Sequence, residues 1–141
     1  MPTTIKTYHR LIIDRIPKPF MSASILLVDD ELITLKITRK LLSSYGYNIE
    51  IATNTTEAIE LLGSKYFDLA IIDINMPTLN GFDLVQLMHT FKIETPVLFL
   101  SNNTDIITIQ ESYDLGVKKF VSKEKEFNYL PQIVRQVLAS A

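Results

Sequence analysis

The sequence has no cysteine and no apolar run approaching the roughly 20 residues of a membrane span. It also lacks a surplus of either charge. Without cysteine, disulfides and thiolate metal sites are excluded. The N-terminus has no basic segment followed by a long apolar core, as a secretory signal would require. No membrane contact is expected, and a cytoplasmic location is the default. The 14 Lys and Arg residues are scattered among 16 Asp and Glu residues, for a net charge of -2. A nucleic-acid surface needs its basic residues clustered on one face or helix. Neither direct nucleic-acid binding nor a DNA-reading output domain is therefore expected. What remains, 141 residues at 47% hydrophobic and 21% charged, suits one compact domain with a real core.

Residues 1–23 differ in character from the rest and read as an N-terminal arm. Ile5, Tyr8, Ile12 and Ile16 recur at helical spacing, Pro17 and Pro19 stop any helix, and Met21 resembles an alternative start. From Ser24 a rhythm sets in. The β-branched run Ile25 to Val28 ends in Asp29-Asp30 and leads into a helix over Glu31 to Tyr45, with Ile33, Ile37 and Leu41 at i, i+4 spacing. Leu35 and Leu42 widen its apolar face, and Gly46 stops it. A strand at Asn48 to Ala52 and a helix from Thr55 to Ser64 follow, with the Thr55 hydroxyl as cap. Next are a strand at Asp68 to Ile72, a helix at Phe82 to Phe91 with Phe82, Val85 and Met88 on one stripe, and a strand at Val97 to Leu100. A helix over Asp105 to Leu115 closed by Gly116, a strand at Lys118 to Ser122, and a last helix from Asn128 complete residues 24–141. Pro131 is tolerable in that last helix's first turn. Five βα units with continuous apolar strands predict a doubly wound α/β fold, in which a five-stranded parallel sheet carries helices on both faces.

Ligands gather at the carboxyl ends of such strands. The polar residues there are Asp29 and Asp30, Asp73, Ser101 and Lys123. Singly, each has a bland explanation: a helix cap, a turn, a solvated charge. Together, on one edge, they form a site. Three close carboxylates need a cation or a raised pKa, and hard oxygen ligands suit Mg2+ better than zinc. A lysine and a hydroxyl facing them could hold phosphoryl oxygens, and a carboxylate can attack phosphorus.

The stretches Leu26-Leu27-Val28-Asp29-Asp30-Glu31, Ile71-Ile72-Asp73-Ile74-Asn75-Met76-Pro77 with Gly81, Leu100-Ser101 and Phe120-Val121-Ser122-Lys123 resemble the receiver domains of two-component response regulators. The resemblance covers Ser24 to Ser140. It implies that Asp73 accepts a phosphoryl group from a histidine kinase or a histidine phosphotransfer protein. Asp30, Asp73 and the backbone carbonyl of Asn75 would bind Mg2+, with Asp29 assisting indirectly. Ser101 and Lys123 would bind the phosphoryl group, and Phe120 would turn inward when Ser101 moves. Output would pass to a downstream protein through residues 105–122 and the final helix, and the chain could also pair as a homodimer.

Three features depart from that pattern. Asn102 stands where the family usually has Ala, and Glu124 stands where it usually has a cis Pro. A cis bond without proline costs roughly 2.5 to 4 kcal/mol, so a trans Lys123-Glu124 bond and a rearranged loop through Lys125 and Glu126 are expected. The fourth helix carries Ile106, Ile107, Ile109 and Tyr113, more apolar surface than one buried stripe requires. Two other functions fit parts of the pattern. One is a receiver that interacts without phosphorylation. The other is a Mg2+-dependent phosphohydrolase, disfavoured because Asn75 occupies the position where such enzymes carry a second Asp. No G-x-G-x-x-G follows the first strand, which disfavours dinucleotide binding.

Overall fold

The computed structural model describes residues 23–140; the arm's helical spacing, Pro17, Pro19 and Met21 lie outside the described residues. In chain order the elements are β1 (Ser24–Val28), α1 (Leu32–Ser43), β2 (Asn48–Ala52), α2 (Thr55–Ser64), β3 (Leu69–Ile72) and α3 (Gly81–Thr90). They continue with β4 (Val97–Ser101), α4 (Ile106–Asp114), β5 (Lys119–Ser122), a 3-10 turn (Phe127–Tyr129) and α5 (Leu130–Ser140). All strand pairs are parallel, in the order β2-β1-β3-β4-β5. The chain runs outward from β1 to β2, then returns across β1 to β3. This reversal opens a crevice between the carboxyl ends of β1 and β3.

Side-chain alternation divides the core into two layers. Leu26, Val28, Ala70, Ile72 and Phe99 pack under α2 and α3, where Ala58, Leu62, Leu84, Val85 and Met88 meet them. Ile25, Leu27, Leu69, Ile71 and Leu98 point the other way, onto Leu35 and Leu42 of α1 and Leu130, Val134 and Leu138 of α5. Both faces of the central strands are thus dry, and their sequences read as continuous apolar runs for that reason.

Two local expectations are corrected. Ile33 and Ile37 face solvent at 71% and 52% exposure, because the helix is rotated so that Leu35, Thr38 and Leu42 meet the sheet. The cap of α2 is Asn54, whose side chain accepts the Glu57 N–H. Thr55 lies one residue too late to cap and instead donates to the Leu79 carbonyl at 3.0 Å. Gly46 and Gly116 both adopt positive φ after their helices, as a stop by glycine requires. The final α-helix starts at Leu130 after the 3-10 turn, with Pro131 in its first turn.

Thr38 is buried, yet its hydroxyl has no hydrogen-bond partner among the described residues. An orphaned buried hydroxyl is unfavourable, whereas valine has nearly the same shape. Thr38→Val should therefore raise stability by about 1 to 2 kcal/mol, measured by urea unfolding. An equal loss would show that the hydroxyl is satisfied in solution.

Candidate functional site

Sheet hydrogen bonds position the two buried acids. The Asp29 N–H donates to the Ala52 carbonyl at 3.2 Å and the Asp73 N–H to the Val28 carbonyl at 2.8 Å. Both side chains thereby stand at the switch-point crevice, one strand apart. Asp29 and Asp73 are only 4% and 6% exposed, while Asp30 is open to solvent. Carboxylate oxygens of all three lie within 4.8 Å of one another. The Lys123 ammonium, delivered from the end of β5, sits 2.8 Å from Asp29 Oδ2 and 3.4 Å from Asp73 Oδ2.

Burial, and then the neighbouring Asp29 charge, push the Asp73 carboxyl up to about 6, despite the opposing pull of Lys123 and the Asn75 N–H. At pH 7, above that value, most Asp73 side chains are still ionised. For Lys123, burial works against the charged form. The Asp29 hydrogen bond and the Asp73 charge outweigh it, and the ammonium titrates above its ordinary range. Oxygen donors of this kind, two buried and one exposed to water, fit a hard, partly hydrated divalent cation.

The loop after Asp73 is held from three sides. The Asn75 N–H donates to Asp73 Oδ1 at 3.3 Å, and Thr55 fastens the Leu79 carbonyl from α2. Gly81 donates its N–H to the Ile74 carbonyl and packs so closely that an added Cβ would lie 2.9 Å from the Asp73 carbonyl oxygen and from Ile74 Cα. Asn80 and Asp83 form a capping box that starts α3 at this point. Thr78 takes positive φ within the loop, a conformation that non-glycine residues rarely adopt.

Ser101 is fully buried at the end of β4, and its hydroxyl oxygen accepts the Asn103 N–H at 3.1 Å. That leaves its own proton to donate. The Lys123 N–H donates to the Ser101 carbonyl at 2.9 Å, which joins the two residues across neighbouring strands. Phe120, opposite Phe99 in the ladder, is buried in the layer under α2 and α3. Asn102, next after Ser101 in the chain, is exposed to solvent. No peptide bond among the described residues is cis, so Lys123-Glu124 is trans as expected. The following loop is closed by the Lys125 N–H to Ser122 Oγ and the Glu126 N–H to the Ser122 carbonyl. Every residue singled out for the site thus lies at the strand carboxyl ends except Phe120, one layer below. Sequence reasoning missed the role of Gly81 as a spacer, the Thr55 strut and the side-chain caps on β5. These depend on tertiary proximity and leave no local pattern.

Residues 25–135 match the family described as response regulator receiver domain. The chain belongs to that family. Among its relatives is the Regulator of RpoS of Escherichia coli K12, 33% identical over 118 residues, 83% of this chain and 35% of that protein. The chain spans 26% to 55% of the length of the curated relatives first matched, several of them transcriptional regulators. Among solved structures, chemotaxis protein CheY4 of Vibrio cholerae superposes with a TM-score of 0.76 at 28% identity, covering 82% of this chain and 98% of that one. The response regulator TrrA of Thermotoga maritima, in complex with Mg2+ and BeF, gives 0.72 at 27% identity, with 82% and 98% covered. The receiver fold expected from the sequence is therefore present, in a family of two-component signalling domains that bind Mg2+ at an acidic pocket. No helix among the described residues is long and apolar enough to cross a membrane.

Folding favours the protonated form of Asp73. Between about pH 4 and 6 the folded protein binds more protons than the unfolded chain, so without divalent cations this group's contribution to stability is intact below pH 4 and is lost as pH rises through 6. Asp73→Asn should therefore stabilise the protein more at pH 7 than at pH 4.5, by on the order of 1 to 3 kcal/mol. Urea unfolding of both proteins at both pH values, in a metal chelator, measures the difference; the same offset at each pH would count against a raised carboxyl.

Proposed function

We propose that this chain accepts a phosphoryl group on Asp73 from a phosphohistidine donor, either a histidine kinase or a histidine phosphotransfer protein, and signals through protein contacts. The observation that carries this reading is the placement of buried Asp73 beside Asp29, with Lys123 bridging the pair and Ser101 at the neighbouring strand end. Asp30, Asp73 and the Asn75 carbonyl would hold Mg2+, with Asp29 assisting; the ion would supply positive charge to the acidic cluster and the phosphoryl oxygens. A carboxylate oxygen of Asp73, mostly ionised at neutral pH, attacks phosphorus. The new O–P bond forms as the donor N–P bond breaks, and its electron pair leaves with the imidazole. Lys123 and the Ser101 hydroxyl bind the transferred phosphoryl oxygens. Asn75 carries a carboxamide and cannot act as general acid or base, so turnover of outside substrates is not part of this reading.

Donor access has support in the surface. Leu32, Ile33 and Ile37 form an exposed apolar stripe on α1. Ile37 also lines a shallow cavity of about 240 Å³ with Glu31, Asn102, Lys123 and Phe127, beside the crevice. An apolar donor face laid on α1 would bring its histidine to Asp73. Output is assigned to α4, β5 and α5, with Ser101 and Phe120 as sensors. The exposed Ile106 and Ile107 of α4 offer a contact for a downstream partner. Residues 24–141 are taken as the receiver and residues 1–23 as an arm preceding it, with Ala23 at the junction already buried in the core and its carbonyl accepting the Asn48 N–H.

Incubation with Mg2+ and a small phosphodonor should add one phosphoryl mass, mapped by peptide mass spectrometry to Asp73 and absent in Asp73→Asn. A label of equal yield in that variant, at the same peptide, would overturn the assignment. Mg2+ should also raise the melting temperature of the wild type by mass action, and Asp30→Ala should remove most of that shift. Equal shifts in both proteins would refute Asp30 as a ligand.

A further inference from the structure

We propose that Tyr113 is a positioning residue that ties α4 to the free edge of β5, so that the helix and the strand carrying Phe120 move as one body; this rests on the reading of Ser101 and Phe120 as sensors. Strand β5 is an edge of the sheet. The Lys123 N–H points inward, to Ser101 on β4, and alternation along the strand turns the N–H groups of Phe120 and Ser122 outward. Neither is left to solvent. The Phe120 N–H donates to the Tyr113 hydroxyl oxygen at 3.1 Å, and the Ser122 N–H to Glu126 Oε1 at 3.0 Å.

The Tyr113 bond matters because α4 has few other anchors. Ser112 is its one buried residue, and Ile106 and Ile107 are 82% and 66% exposed. Ile109 reaches the core only partly buried. The opposite end of the helix is tethered as well, by three successive bonds. The Asn103 N–H donates to Ser101 Oγ, the Asp105 N–H to Asn103 Oδ1, and the Ile107 N–H to Asp105 Oδ1. One end of α4 is thus tied to the Ser101 hydroxyl and the other to the Phe120 backbone. A lightly packed helix held at both ends by the two sensors follows their displacement, whereas a deeply packed one would resist it.

Tyr113→Phe keeps the ring and removes only the hydroxyl, which makes it the test variant. Hydrogen exchange of the Phe120 amide should quicken about fivefold, the size expected for one lost hydrogen bond. Backbone NMR with beryllofluoride and Mg2+ should show residues 110–114 shifting in the wild type and by less than half as much in Tyr113→Phe, while Asp73 and Ser101 respond equally in both. Glu126→Ala serves as control: it frees the Ser122 amide yet should leave the α4 response intact. Unchanged Phe120 exchange together with an unchanged α4 response in Tyr113→Phe would overturn the tether. A wild type in which Asp73 and Ser101 ignore the mimic would overturn the phosphoryl reading instead, and the Phe120 exchange rate would then decide the tether alone.

Discussion

Two nearly buried carboxylates held side by side repel each other, and the rest of this structure is arranged around that repulsion. Asp29 and Asp73 are fixed by backbone hydrogen bonds to neighbouring strands, so they cannot move apart without breaking the sheet. Lys123 answers them from 94 residues away in sequence relative to Asp29. Its ammonium reaches across the carboxyl edge of β3 and β4 to the crevice. A pair of this kind contributes little net stability, since burial of the charges offsets much of their attraction. Its value lies in position: it keeps a cation where incoming phosphoryl oxygens would need one.

The same repulsion gives the site a reason to bind. A group that brings positive charge, or takes up the lysine, finds the cluster poised at a higher free energy than separate aspartates in water would have. Perturbed carboxyls concentrate at functional sites for this reason. The energy available for switching is bounded in turn. A phosphoryl group can shift the molecule between conformations only by the difference in its contacts with each, and in the reading proposed above those contacts would run through one hydroxyl, one ammonium and the segments they hold.

Much of this is legible in the sequence. The apolar runs of β1, β3 and β4 announce strands covered on both faces, and the acids that end β1 and β3 are the ones the crevice brings together. Ser101 and Lys123 were equally visible, because a polar residue at a strand's carboxyl end has its location decided by topology alone. Reading failed where rotation or long-range contact decides. Ile33 and Ile37 have helical spacing, but so do Leu35 and Leu42, and only packing against the sheet selects between two apolar stripes. Thr55 and Asn54 are both acceptable caps by type, and a one-residue choice between them rests on where the chain turns. The hydroxyl of Tyr113 could not be assigned to the Phe120 amide from sequence, since nothing local marks which edge N–H a side chain will meet.

The close fit at Gly81 has a consequence for inheritance. Its missing side chain is the space in which the Asp73 backbone and the start of α3 pass each other. The position contributes no charge, hydroxyl or metal ligand, yet any L-amino acid there must push the backbone that bears the phosphoacceptor candidate. Variants of this chain found in nature or made by random mutagenesis would thus lose function at a residue with no chemistry of its own, with every recognisable site residue still in place.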